Sequence, residues 1–95
     1  MVTKQNRPAT AKVVIGNSLG LHARPAMSFV DTANRFAADV RVKKGSQSVD
    51  GKSIMQMMML AATQGTQLRI EAEGNDAEDA IAALCKLVES NFGEE

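Results

Sequence analysis

His22 is the only histidine in the chain, and it stands where a loop gives way to a helix, followed by Ala23, Arg24, Pro25 and Ala26. An imidazole is neutral for much of the time near pH 7, which leaves one ring nitrogen available as a nucleophile. Proline in a first helical turn costs little, because N–H groups there have no intrahelical partner, so the helix starts at or just after His22. The ring then lies beside the positive end of the helix dipole, where the N–H groups of Ala23 and Arg24 can point at an anion. The Arg24 guanidinium adds a fixed charge whose planar fork suits phosphate oxygens. A nucleophile together with stabilisation of the equatorial oxygens meets the main needs of phosphoryl transfer. Gly20 lets the backbone run close to such a group with no side chain in the way. The plainer alternative is that a lone histidine at a helix start is a cap or a surface residue, and His-x-Arg-Pro alone does not decide between them. A metal site is disfavoured, since one histidine and one distant cysteine, Cys85, make a poor ligand set.

A second cluster begins at Ser53. Ser53-Ile54-Met55-Gln56 matches the capping box, so Ser53 reads first as the N-cap of a short helix ending before Gly65. Met55, Met57, Met58 and Met59 follow. Neighbours on a helix lie about 100° apart, so these four cannot all face inward; one or two are expected to be exposed beside Ser53. Core packing is the ordinary use of such methionines, and a copper-binding set is the weaker alternative.

The elements that position these residues follow from periodicity. Ala9 to Ile15 reads as a strand and Gly16 to Gly20 as a loop. The helix after His22 carries an apolar stripe at Ala26, Phe29, Val30, Ala33 and Ala37. Ala38–Lys44 and Gln47–Val49 read as a hairpin turning at Gly45-Ser46. Gln67 to Glu73 alternates, with Leu68, Ile70 and Ala72 on one face, as in a half-buried strand. Asn75 is expected to cap the last helix, with Glu78 at the third position and Asp76 and Asp79 suiting its positive end. That helix buries Ala77, Ala80, Ile81, Leu84, Cys85 and Val88, which makes Cys85 a core residue. The order is βαββαβα. One amphipathic face per element predicts two layers, with helices on one side of an open sheet; strand order stays open on this reading.

Bulk properties fit one domain over residues 1–95, with a loose N-terminus over 1–7. Apolar residues make up 44% of the chain, and eleven basic residues balance eleven acidic ones. Nucleic acid is disfavoured, since there is no basic excess and only three Phe, with no Tyr or Trp, to stack on bases. No segment approaches the roughly 20 apolar residues of a membrane span, and none reads as a secretion signal. A single cysteine that cannot pair internally fits a reducing cytoplasm.

The string Gly20-Leu21-His22-Ala23-Arg24-Pro25-Ala26 resembles the active-site signature of the histidine-containing phosphocarriers (HPr) of the bacterial phosphoenolpyruvate-dependent phosphotransferase system. Gly51-Lys52-Ser53-Ile54-Met55 resembles that family's regulatory serine segment, and the likeness covers about residues 9–91. It implies an α+β open-faced sandwich with an antiparallel sheet of order 1-4-2-3 and three helices on one face. It further implies phosphorylation of His22 at Nδ1 by enzyme I, transfer to a IIA protein, and stabilisation of the phosphoryl group by Arg24. Ser53 becomes the target of a bifunctional kinase/phosphorylase, and the partner surface falls between the first two helices, with Leu21, Met55 and Met58 as its contacts. No metal or organic cofactor is implied, and the carrier is expected to be a monomer and not an independent enzyme. Asn17-Ser18-Leu19-Gly20 with the following His-Ala-Arg-Pro-Ala-Met looks closer to the nitrogen-related branch, whereas the Ser53 segment looks like the kinase-regulated carriers. The competing readings are a regulatory binding module of the same fold acting through Ser53, and an unrelated interaction domain in which His22 is only a cap.

Overall fold

The computed structural model describes residues 8–94; the expected loose N-terminus over 1–7 lies outside them. The elements in chain order are β1 (Ala9–Val14), α1 (Ala23–Ala33), β2 (Asp39–Lys44), β3 (Gln47–Asp50), α2 (Ile54–Met59), β4 (Gln67–Glu73), α3 (Ala77–Glu89) and a 3-10 turn, η1 (Asn91–Gly93). The strands form one antiparallel sheet of order β1-β4-β2-β3. The alternation read in β4 holds: Leu68, Ile70 and Ala72 are buried. They lie level with Val13, Ala11 and Ala9 of β1, and the last two with Val42 and Val40 of β2. The other face stays wet, with Lys12, Arg69 and Lys43 side by side across three strands, the division of labour usual for an antiparallel sheet.

Phe29 and Ala33 of α1, Met57 of α2 and Leu84 and Val88 of α3 close the core over the inner sheet face, in one cluster with Ile15, Val40, Val42 and Ile70. Each such large apolar side chain contributes roughly 1.5–3 kcal/mol by leaving water. Lys44 and Gln47 pair across the β2–β3 turn, where Gly45 alone has positive φ, +58°, as a type II′ turn needs at its first central residue.

Three local expectations are corrected. α1 stops at Ala33 with Asn34 as C-cap, so Ala37 is not part of its buried stripe. The chain after it turns towards α3, and the N–H groups of Ala37 and Ala38 donate to the Asp76 carboxylate at 2.9 and 2.8 Å. For the same reason Asn75 does not cap α3. Asp76 holds the N-cap position, and its side chain is spent on that long-range link instead of on the helix's own N–H groups. Around α2, Met57 is buried, but Met55, Met58 and Met59 are all exposed. Three methionines face outward where one or two were expected, because a six-residue helix lying on the edge of the core buries only one narrow stripe.

Candidate functional site

α1 starts as its sequence indicates. His22 is the N-cap, in extended conformation at φ −81° and ψ −169°, and its carbonyl accepts from Ala26 N–H at 3.0 Å. Its side chain makes no capping bond. Among the described residues no acceptor is bonded to the N–H groups of Ala23 or Arg24. The first turn itself has no acidic residue, and Arg24 in it is exposed. The start of α3, by contrast, carries Glu78 and Asp79. The α1 terminus therefore offers two unpaired N–H donors and, in its first turn, an exposed arginine, next to an imidazole whose side chain is 36% exposed, a combination that attracts an anionic group.

The loop before His22 is tightly fixed. Leu21 N–H donates to Ala62 O at 2.8 Å, and His22 N–H to Gly20 O at 3.0 Å. Gly20 has φ +70°, and a Cβ there would lie 2.5 Å from Ala62 O and 2.8 Å from Thr63 Cα. Glycine is thus required here by the approach of the 62–63 backbone. Leu21, expected on the partner surface, is 5% exposed and belongs to the core. Met55 and Met58, the other two expected contacts, are exposed on α2, which packs against α1; Leu19 and Met27 are exposed as well.

Two residues of the site were missed in the sequence. His22 Nε2 lies 3.1 Å from Oε1 of Glu94, at the far end of the chain. Asn17, fully buried, donates through Nδ2 to Gly20 O at 2.7 Å and to the same Glu94 oxygen at 3.1 Å. Asn17 in a glycine-containing loop carried a turn signal; Glu94 carried none, because its role depends on a contact across 72 positions.

Ser53 is the N-cap of α2, and its Oγ accepts from Gln56 N–H at 3.2 Å. The reciprocal half of the capping box is diverted. Gln56 Oε1 accepts from Asp50 N–H at 2.9 Å, since Ser53 N–H is already bonded to Asp50 O across the Asp50-Gly51 turn. Cys85 packs against the core, where burial first and the Glu89 carboxylate second push its thiol up from the ordinary value, which suits a packing role and not a nucleophile. Among the described residues no three His, Cys, Asp or Glu side chains are grouped so as to hold a metal ion, and no helix is long and apolar enough to cross a membrane.

Residues 9–90 match the family described as the phosphotransferase-system HPr component phosphorylation site. The phosphocarrier protein HPr of Pseudomonas aeruginosa is 48% identical over 84 residues, covering 87% of this chain and 93% of that protein. The HPr-like protein Crh of Bacillus subtilis is 42% identical over 78 residues, 82% of this chain and 92% of that one. The crystal structure of HPr-C-His from Thermoanaerobacter tengcongensis superposes with a TM-score of 0.88 at 47% identity, covering 92% of this chain and 98% of that chain.

Proposed function

The chain belongs to the HPr family of phosphotransferase-system phosphocarriers, and from that premise we propose that His22 accepts a phosphoryl group from phospho-enzyme I and passes it to a IIA protein. The observation that supports this reading is the start of α1, where an accessible imidazole, two N–H groups without acceptors and an exposed arginine fall within one turn of a helix end that has no side-chain cap. In acceptance, a bond forms between phosphorus and Nδ1 while the bond from phosphorus to the donor breaks, its electron pair staying with the donor. The chain supplies no second reactive group. Its part is to present the nucleophile, and Arg24 with the Ala23 and Arg24 N–H groups holds the phosphoryl oxygens that carry the charge. The chain is a covalent relay with no complete reaction of its own, working as one HPr-like domain and a monomer in the cytoplasm. Met55 and Met58 suit partners of differing shape, because an unbranched thioether repacks easily.

Ser53 is the regulatory position in this reading, a substrate for an HPr kinase/phosphorylase. A phosphate there adds about −1.5 to −2 charges beside the docking surface, and it replaces a hydroxyl that only caps α2. The expected result is weaker docking of enzyme I with the domain still folded. A Ser53→Asp variant that took phosphate from enzyme I at the wild-type rate would remove this part of the proposal. The likeness to Crh favours a second reading, in which the chain acts mainly as a regulatory module through phospho-Ser53; the presence of His22 weighs for the carrier.

The deciding experiment is intact-protein mass after incubation with enzyme I, phosphoenolpyruvate and Mg²⁺. A phosphoryl mass that acid removes, and that His22→Ala lacks, supports the relay. No added mass, with a second enzyme I also failing, supports the regulatory module.

A further inference from the structure

The C-terminal turn adopts a conformation that disfavours its own residues. Asn91, Phe92 and Gly93 have φ of +58°, +57° and +75° in succession. The left-handed region is unfavourable for a residue with a Cβ, so the two non-glycines are held there by their surroundings. Phe92 is buried in the core, and the N–H groups of Gly93 and Glu94 bond back to Ser90 O and Asn91 O. The outcome of the turn is to swing Glu94 against the start of α1. There Oε1 sits 3.1 Å from His22 Nε2 and accepts a second bond, from Asn17 Nδ2, also at 3.1 Å. Asn17 is immobilised by complete burial and by its bond to Gly20 O, so the carboxylate is held by the same loop that leads into His22.

An ionised carboxylate can only accept. The ring nitrogen facing Glu94 must therefore carry the hydrogen, and in a neutral imidazole the other nitrogen then holds the lone pair. We infer that Glu94 is a positioning residue for His22: it fixes the ring and its Nε2–H tautomer, leaving Nδ1 as the nucleophile, with Asn17 gripping the carboxylate. The purpose of this arrangement rests on the phosphocarrier reading; its geometry does not. When Nδ1 bonds to phosphorus the ring becomes cationic with its hydrogen still on Nε2, and that hydrogen faces the Glu94 carboxylate. The bond to Glu94 is therefore stronger in the phosphorylated ring than in the free one.

The test reads both ring nitrogens of the full chain by long-range ¹H–¹⁵N NMR, under conditions where the spectra show a neutral ring, in wild type, Glu94→Ala and Glu94→Gln. Acceptance from phospho-enzyme I is timed on the same samples. Loss of the carboxylate in Glu94→Ala is expected to raise the Nδ1–H fraction at least about twofold and to slow acceptance about two- to tenfold. Glu94→Gln keeps an acceptor oxygen without the charge, and is expected to restore most of the tautomer preference but only part of the rate. A tautomer ratio unchanged in Glu94→Ala would overturn the inference, whatever the rate. A shifted ratio in a chain whose wild type takes no phosphoryl group would uphold the positioning and sink the phosphocarrier reading.

Discussion

At the start of α2, Ser53 turns its own hydroxyl onto Gln56 N–H and closes the first turn on itself, whereas at the start of α1 His22 holds the same cap position and makes no such bond. Both ends begin with the N–H groups that every helix leaves unpaired. One caps the N–H of Gln56 with a side chain, and the other has no side-chain cap and carries an exposed arginine in its first turn. The start of α3 is a third case, since the side chain of its cap residue does not cap the helix but ties down the Ala37–Ala38 backbone. Equivalent positions in three helices therefore carry three different duties, and the start of α1 is the one with no side-chain cap and an arginine in its first turn.

The largest effect expected from breaking this comparison is at the open end. His22→Ala should abolish phosphoryl acceptance, read by intact mass, while the unfolding midpoint stays within about 4 °C, because a half-exposed side chain with one hydrogen bond carries little stability. Arg24→Ala should slow acceptance by about 10–100-fold, the usual worth of one charged donor to a developing anion, with stability unchanged or slightly raised. A cation in a first helical turn opposes the dipole, so a large loss of stability there would contradict the assignment. At the closed end the balance reverses. Ser53→Ala should lower stability by about 1 kcal/mol, as loss of a serine cap does, with acceptance on His22 nearly untouched; denaturant unfolding and the mass assay check the two halves.

The smallest effect belongs to Asp76. The N–H of Ala37 first, then those of Ala38 and Asp76 itself with the Lys52 charge, hold its carboxyl below the ordinary value near 3.8, against desolvation that works the other way. A depressed folded-state value means that its stabilisation is present above the ordinary aspartate range and fades as pH falls through and below it. Asp76→Asn should accordingly lower stability slightly at pH 7, where the carboxylate contributes, and flatten the acid limb, so that the unfolding midpoints of variant and wild type converge as pH falls from 7 to about 2.

Local features were legible where one element sufficed. The β4 alternation, the Gly45 turn, the Ser53 cap and the helix start at His22 each follow from residues within a few positions of one another. Reading failed where a side chain had two possible clients. Gln56 was expected to bond Ser53 N–H and bonds Asp50 N–H instead, and Asn75 was expected to cap α3 in place of Asp76. Leu21 sits inside the signature string yet points into the core, because its N–H is tied to Ala62 O.

The sequence by itself determined the candidate nucleophile, the charged residue two positions on and the helix end that frames them, because His22, Ala23, Arg24 and Pro25 are contiguous and fall within a single helical turn. Only the tertiary structure decided what faces the other side of the ring. Glu94 reaches His22 because Phe92 is buried and the turn around it is forced left-handed, and Asn17 can grip Glu94 because the core closes over its loop. Contacts between residues more than 70 positions apart leave no periodicity or spacing to read, since they exist only once the packed core has fixed where each segment ends.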